Sequence, residues 1–225
     1  MRIGILGSGL MAEALGGQWV RAGHDVLIGG RSPEKAAAVA KGIGASSGTL
    51  REAAAFGEVT LLAISADGVE QTLRSIDAPG GSLAGRPLID CTNAVVPGDF
   101  TLAVPAMAEL VASLAADAQV VKAFNLAADT VWRGTQDDQH GMVRQGGDFE
   151  GGPLGVPLCG DDPAAVARVG VLVRDLGCEP VQAGGLARAR LLEATAAFAI
   201  GVWATGGDAR SLFPTLARAF GSVEP

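Results

Sequence analysis

The sequence predicts an α/β fold: a doubly wound, mostly parallel sheet followed by a small C-terminal α/β extension. Residues 2–35 read as a strand, a glycine turn, a helix and a second strand, which together make one βαβ unit. Apolar strands then alternate with helical runs along the chain, a pattern typical of an open parallel sheet. The predicted strand at 58–65 is almost continuously apolar, which indicates that helices cover both faces. These observations predict a Rossmann-type sheet.

The remaining elements follow from apolar periodicity and from turn and cap residues. The predicted helices cover residues 35–43, 50–56 with Thr49 as N-cap, 66–76, 105–115, a run from 163 onward, and 186–205. The predicted strands cover residues 87–91, 119–124 and 179–182, and ordered structure is predicted to return at 156–160. We expect three regions: a Rossmann domain at 1–126, a long loop or lid at 127–155, and a small C-terminal part at 156–225 that contributes to the substrate pocket and to dimer contacts.

The turn at residues 7–12 carries a glycine pattern that often precedes dinucleotide-binding helices. Gly7 allows a sharp turn off the first strand, Gly9 lets the backbone approach a pyrophosphate, and Ala12 is small where the helix packs on the strand. The free N–H groups of the helix N-terminus would bind the phosphates. The expected site residues of this turn are Gly7, Ser8, Gly9, Leu10 and Met11. The alternative is a tight βα turn in another kind of α/β protein.

The end of the second strand favours NADP over NAD. NAD enzymes usually carry an Asp or Glu about 20 residues after the glycines, and that carboxylate binds the ribose 2′-OH. This chain instead has Arg31 and Ser32, with Lys35 one turn into the next helix. A guanidinium can form a bidentate pair with a 2′-phosphate, while the hydroxyl and the ammonium add a hydrogen bond and charge. The alternative is that both cations are ordinary solvated charges.

Further candidates come from the carboxyl ends of later strands, the edge where open α/β sheets bind ligands. These candidates are Ile64, Ser65, Asn93, Ala123 and Asn125. We expect Asn93, Asn125 and the backbone of Ala123 at the nicotinamide end of the cofactor. Taken singly, polar residues at strand ends are also ordinary caps and turn formers.

Composition narrows the function classes. The chain has 225 residues, of which 48% are hydrophobic, and a net charge of −7, which argues against nucleic-acid or anionic-membrane partners. No apolar run is long enough for a membrane span. The 3 cysteines lack metal-type spacing, which indicates reduced thiols of a cytoplasmic protein. The 2 histidines leave little for a zinc site or a Ser-His-Asp triad, so we expect no metal.

Two further features leave alternatives open. The predicted loop at 133–155 is rich in glycine and polar residues, and loops of this length are usually functional lids or disordered. Glu193 is the only acid in the last predicted helix. It is expected either to form a local ion pair with Arg190, one turn earlier, or to contribute a polar group to the active-site wall.

Motifs spread along the chain resemble the NADP oxidoreductases that use coenzyme F420. They lie at residues 4–9, 30–32, 90–93, 120–125, 157–162 and 183–193. The resemblance covers nearly the whole chain in the same order, and its Lys-Ala-Phe-Asn and Cys-Gly-Asp-Asp segments are the most specific. Similar domains occur in metalloreductases that pass electrons from NADPH through flavin. Residues 9–14 separately look like pyrroline-5-carboxylate reductase.

The resemblance implies a homodimer that transfers a hydride between NADPH and the 5-deazaflavin of F420, its co-substrate. Such a transfer needs alignment more than acid–base chemistry, so no catalytic residue is predicted. The cations available for the phosphate and glutamate tail of F420 are Arg133, Arg144, Arg188 and Arg190. Asn125 stands where archaeal members have a histidine, and the loop is longer than in compact members. The alternatives are a reductase of an imine or enone on the same scaffold, and a non-catalytic NADPH sensor.

Overall fold

The fold is known from a computed structural model that describes residues 1–133, 153–212 and 219. Most of the predicted loop at 133–155, including Arg144, lies outside these residues, so the lid remains a prediction. Among the described helices, none combines the length and the apolar character needed to cross a membrane.

Eight strands form one sheet, which confirms the predicted doubly wound α/β fold. In chain order the strands are β1 (Arg2–Leu6), β2 (Asp25–Gly29), β3 (Ser46–Gly48), β4 (Val59–Leu62), β5 (Pro87–Asp90), β6 (Gln119–Lys122), β7 (Gly155–Gly160) and β8 (Glu179–Gln182). Their order across the sheet is β3-β2-β1-β4-β5-β6-β7-β8. Strands β1 to β6 are parallel, β7 is antiparallel to β6, and β8 is parallel to β7. The strand order reverses between β1 and β4, the point where open α/β sheets bind ligands.

Eight α-helices are present in the described residues. They are α1 (Leu10–Arg21), α2 (Pro33–Ile43), α3 (Leu50–Phe56), α4 (Val69–Ser75), α5 (Met107–Leu114), α6 (Asp129–Trp132), α7 (Pro163–Arg174) and α8 (Ala189–Ala204). Short 3₁₀ turns cover Ala66–Gly68, Ala78–Gly80, Leu186–Arg188 and Ala209–Leu212.

Side-chain caps determine where three of these helices begin. Ser32 accepts a hydrogen bond from the backbone N–H of Lys35 at the start of α2, and Asp162 caps α7 in the same way. Thr49 and Glu52 form a reciprocal capping box at α3. These caps satisfy N–H groups that the helices themselves leave unpaired.

Helices cover both faces of the sheet, so two hydrophobic layers form. Apolar side chains of α1, α2, α6 and α7 pack on one face, and those of α3, α4, α5 and α8 pack on the other. On the first face Phe124 packs edge-on between Trp19 and Trp132, with ring centroids 5.9 and 5.4 Å away. This aromatic contact joins α1 and α6 to the end of β6.

The structure differs from the prediction at four elements. Strand β3 and helix α6 were not predicted, because β3 is a Ser-Ser-Gly segment without apolar alternation and α6 is a single turn. The predicted helix at 66–76 is a 3₁₀ turn followed by α4. The last helix likewise starts as a 3₁₀ turn before α8.

Candidate functional site

A cleft of about 660 Å³ lies at the carboxyl ends of the parallel strands, across the switch point. Its lining residues are Gly7, Ser8, Gly9, Leu10, Met11, Gly30, Arg31, Ser32, Lys35, Leu50, Ala63, Ile64, Ser65, Thr72, Cys91, Thr92, Asn93, Phe124, Asn125, Ala127, Ala128 and Asp129. The cleft therefore collects the predicted site residues from five separate strand ends. Ala123 is the exception: it is fully buried in the core, and its N–H donates to the carbonyl of Asp90 at 3.1 Å.

The two glycines of the turn differ in how much space surrounds them. Gly7 has φ +133°, and a Cβ added there would collide with the backbone carbonyl of Ala63. Gly9 has extended backbone angles, and an added Cβ would meet no protein atom within 4 Å. Gly7 is therefore required by the fold, whereas Gly9 leaves space that belongs to the cleft.

The N-terminus of α1 opens on this cleft without a side-chain cap. Gly9 is its N-cap and offers no side-chain acceptor, in contrast to the capped helices α2, α3 and α7. Within the described part of the chain, no acceptor pairs with the first-turn N–H groups of Leu10, Met11 and Ala12. Unpaired N–H groups and the positive end of the helix dipole suit an anion, so this end of the cleft fits a pyrophosphate.

A second cationic group lies at the end of β2. Arg31, Ser32 and Lys35 line the same cleft, and Ser32 caps α2 there. Asp67 is exposed, and its pKa is lowered mainly by a hydrogen bond from Ser65, with a smaller contribution from the charge of Arg31. Two cations and a hydroxyl at a helix N-terminus fit a 2′-phosphate better than a neutral ribose.

The far end of the cleft is formed by two asparagine side chains. Asn93 Nδ2 donates to the backbone carbonyl of Asn125 at 2.7 Å, and Asn125 Nδ2 donates to Asn93 Oδ1 at 3.1 Å. Phe124, which precedes Asn125, also lines the cleft. Its φ of 62° is a left-handed conformation that is rare for a bulky residue. Such a conformation costs on the order of 1–3 kcal/mol, and the packing of Phe124 between two tryptophans holds it.

A buried lysine lies directly beneath these asparagines. Lys122 is fully buried, and its Nζ donates to Asp90 Oδ2 at 2.9 Å and to the carbonyl of Thr92 at 2.6 Å. The same Nζ lies 3.0 Å from Glu193 Oε1. A buried charge needs both an ion-pair partner and further hydrogen bonds, and this lysine has both.

Glu193 differs from both sequence-based expectations. Its carboxylate accepts hydrogen bonds of 2.9 Å from the backbone N–H groups of Met107 and Ala108, and so caps α5 from α8. Arg190 pairs instead with Glu109. The predicted ion pair between Arg190 and Glu193 is therefore wrong, and Glu193 does not line the cleft. Its partners are distant in the sequence, so neither helical spacing nor composition could identify them.

The arginines considered for a second anionic substrate already have partners. Arg133 lies 3.3 Å from Glu13 and 3.2 Å from Asp129. Arg188 Nε donates to the carbonyl of Ala183 at 2.7 Å. With Arg190 bound to Glu109, none of these three is left unpaired within the described residues. Asp129 itself lines the cleft, and no sequence pattern had identified it.

The chain is similar in sequence to known NADP-dependent oxidoreductases. Residues 2–94 match the model of the family described as NADP oxidoreductase, coenzyme F420-dependent. Metalloreductase STEAP3 of Rattus norvegicus is 30% identical over 194 residues, 86% of this chain, and the chain spans 36% of that protein's length.

Two solved structures show the same fold. A candidate F420-dependent NADP-reductase from Arthrobacter sp. FB24 aligns with TM-score 0.73 and 23% identity over 92% of this chain and 95% of the other. An imine reductase from Myxococcus stipitatus in complex with NADP+ aligns with TM-score 0.66 and 18% identity over 92% of this chain and 63% of the other. The resemblance predicted from the sequence is thus confirmed over residues 2–94, which match the model of the coenzyme F420-dependent NADP oxidoreductases.

Proposed function

We propose that the chain is an NADPH-dependent oxidoreductase that transfers a hydride between NADPH and a second substrate bound beside Asn93 and Asn125. The observation that carries this proposal is the pairing, in one cleft, of an uncapped helix N-terminus at Gly9 with the Arg31 and Lys35 cations. A pyrophosphate at the first site and a 2′-phosphate at the second are features of one dinucleotide.

Each part of the cleft then has a role. The turn Gly7, Ser8 and Gly9, with Leu10 and Met11, binds the pyrophosphate through backbone N–H groups. Arg31, Ser32 and Lys35 bind the 2′-phosphate, and Ile64 and Ser65 line the path between the two ends. Asn93 and Asn125 hold the nicotinamide end. Ala123 is left out of this set, because it is not among the residues that line the cleft.

The proposed hydride acceptor is coenzyme F420. The hydride transfer between NADPH and F420 can run in either direction. The nicotinamide and the 5-deazaflavin supply the redox chemistry; the protein aligns the two rings and excludes water between them. Apolar groups at this end of the cleft, Ala127 and Ala128 beside Phe124, suit such a dry contact. This assignment is supported by the family match and by the predicted motifs.

A second candidate is an NADPH-dependent reductase of a small uncharged substrate, such as an imine or enone. The specific observation in its favour is that Arg133, Arg188 and Arg190 are all bonded to other groups. An F420 tail with a phosphate and glutamates would have to displace the carboxylate partners of Arg133 and Arg190, whereas a small uncharged substrate would not. A non-catalytic NADPH sensor is the third candidate.

We further propose a cytoplasmic homodimer, as the family resemblance and the three thiols imply. Helix α8 exposes Leu191, Phe198 and Trp203, with about half of each side chain accessible (51, 56 and 49%). Large apolar side chains exposed on one helix are typical of an interface. Sedimentation velocity across a range of protein concentrations tests the oligomeric state.

Steady-state NADPH oxidation by the purified protein, with and without F420, tests the proposed reaction. A cyclic imine and an enone serve as the comparison substrates. Oxidation that requires F420 supports the first candidate, and oxidation that requires the imine or enone supports the second. NADPH binding without consumption in all three assays would replace both by the sensor. The variant Arg31→Ala, assayed in parallel, links any activity to this cleft.

A further inference from the structure

Helix α8 contacts the far end of the cleft through two adjacent residues. The carbonyl of Leu192 accepts a hydrogen bond of 3.2 Å from Asn125 Nδ2. The carboxylate of Glu193 lies 3.0 Å from the buried ammonium of Lys122. The next turn of α8 makes no comparable polar contact with the sheet among the described residues. One turn of a C-terminal helix is therefore bonded both to the cleft lining and to the charge beneath it.

The charge beneath the cleft also holds the second asparagine in place. Lys122 Nζ binds the backbone carbonyl of Thr92, the residue immediately before Asn93. Thr92 is bonded in turn through its N–H and hydroxyl to Asp90 Oδ1, at 2.9 and 2.6 Å. The backbone that carries Asn93 is thus held on both sides by the same buried ion pair.

These bonds decide which way the two amides face. Asn93 Nδ2 contacts a backbone carbonyl, so that atom has to be the nitrogen, and Asn93 Oδ1 has to be the acceptor. The atom of Asn125 that contacts Asn93 Oδ1 must then be its nitrogen, and the same atom also faces the carbonyl of Leu192. The Oδ1 of Asn125 has no partner among the described residues.

This unpaired oxygen faces the open cleft. Asn125 lines the cleft, and the partnerless buried side-chain oxygens of the described residues are those of Thr60 and Ser82. Asn125 Oδ1 is therefore accessible and can accept a hydrogen bond from a ligand. The ligand chemistry that matches a single neutral acceptor is an N–H donor, such as a primary carboxamide.

We propose that Lys122 and Glu193 are positioning residues, which hold α8 so that Asn125 presents Oδ1 to a carboxamide N–H. The inference rests on the proposed function, because nicotinamide carries that carboxamide. Both residues are fully buried and act only through Asn125 and Asn93. Two N–H groups at the start of α5 and one ammonium bind the Glu193 carboxylate, so a shift of α8 would break several charge-assisted bonds at once.

The test compares two ligands that share one end of the site. The ligand 2′,5′-ADP has the 2′-phosphate end without nicotinamide, whereas NADP+ has both. The test variant is Glu193→Gln, which keeps the side-chain size and leaves Lys122 paired with Asp90. The matched control is Glu109→Gln, the same substitution in the exposed α5–α8 ion pair with Arg190. Calorimetric titration of both ligands gives the affinities.

We expect Glu193→Gln to weaken NADP+ binding about tenfold, the effect of roughly one well-made hydrogen bond, and to leave 2′,5′-ADP binding unchanged. Glu109→Gln should change neither affinity. A double-mutant cycle with Asn125→Leu adds a second test: the double variant should bind NADP+ no more weakly than Asn125→Leu alone, because Glu193 acts through that amide.

Three results would overturn the inference. They are an equal loss for both ligands, an unchanged NADP+ affinity, and additive losses in the double variant. A Glu193→Gln protein that binds neither ligand has the same meaning as an equal loss for both ligands, because it would show that Glu193 has a general role in the fold. Failure of the wild-type protein to bind 2′,5′-ADP would instead contradict the proposed NADP site itself.

Discussion

Ser32 Oγ donates a hydrogen bond of 2.9 Å to Glu34 Oε2, beside the cationic end of the cleft. The pKa of Glu34 lies below its ordinary value, because its own backbone N–H and the Ser32 hydroxyl stabilise the carboxylate. Glu34 is therefore charged at neutral pH. Its carboxylate accepts the hydrogen bond of the Ser32 hydroxyl, the same hydroxyl that we propose binds the 2′-phosphate. The first turn of α2 carries both the groups that attract a phosphate and one that opposes it.

Glu34→Gln should therefore strengthen NADP+ binding. Because exposed charges interact only weakly through solvent, removing this one near a phosphate should give roughly a twofold to threefold gain at low salt. NAD+ affinity should stay the same, and the gain should shrink as salt is added. Asp25→Asn is the matched control, because Asp25 is exposed at the opposite end of β2. An equal gain for NAD+ would refute this role of Glu34.

Arg31→Ala should remove most of the preference for NADP+ over NAD+. Charge-assisted hydrogen bonds contribute about 1.5–3 kcal/mol each, so we expect wild type to favour NADP+ by at least about tenfold. Lys41→Ala, at the last turn of the same helix α2, is the control for loss of a cation. Titration of both cofactors against each variant measures the ratio. The prediction fails if wild type binds the two cofactors equally.

The two glycines of the turn should respond to alanine in opposite ways. Gly9→Ala adds a methyl group in open space, so stability should not change, whereas the methyl group would occupy the cleft and weaken NADP+ binding. Gly7→Ala forces φ +133° on an alanine and meets the carbonyl of Ala63, at a cost of at least about 2 kcal/mol. Urea unfolding and NADP+ titration of both variants separate the effects. A stable Gly7→Ala protein would contradict the geometry of the turn.

Stability should fall at alkaline pH because of the buried thiols. Burial raises the pKa of Cys91 to about 12 and that of Cys178 to about 11. A thiol of the unfolded chain ionises at about pH 8.5. Between that pH and pH 11–12, ionisation of the thiols stabilises the unfolded state but not the folded state, so the free energy of unfolding falls. Each thiol should cost up to about 2 kcal/mol at pH 10. Urea unfolding from pH 8 to 10 should show a shallower decline in Cys178→Ala; an unchanged slope would exclude this cause.

The sequence predicted the fold well where local chemistry determines structure. The Thr49 N-cap, the βαβ unit at 2–35 and the start of α7 at residue 163 are all predicted from neighbouring residues. Strand β3 could not be predicted, because its pairing with β2 depends on tertiary contact rather than on its own Ser-Ser-Gly composition. The antiparallel pairing of β7 with β6 depends likewise on distant residues.

The same distinction between local sequence and distant contacts applies to the candidate site. Residues that bind through backbone geometry or strand-end position, such as Gly9, Arg31 and Asn125, were identified from the sequence and lie together in the cleft. The pairing of Lys122 with Glu193 was not predicted, because no pattern of neighbouring residues indicates it. Lys122 lies on strand β6 and Glu193 on helix α8, and only the folded chain brings the two charges within 3.0 Å.

Direct hydride transfer from NADPH in this cleft is tested most directly with cofactor that is stereospecifically deuterated at C4 of the nicotinamide. The labelled NADPH is incubated with the purified protein and F420, and the products are analysed by mass spectrometry. We expect the deuterium from one face of the nicotinamide to appear on the acceptor ring, without exchange into solvent, and Arg31→Ala to slow the transfer. Deuterium that appears in water, or labelled NADPH that is left unconsumed with F420, imine and enone alike, would contradict the proposed reaction.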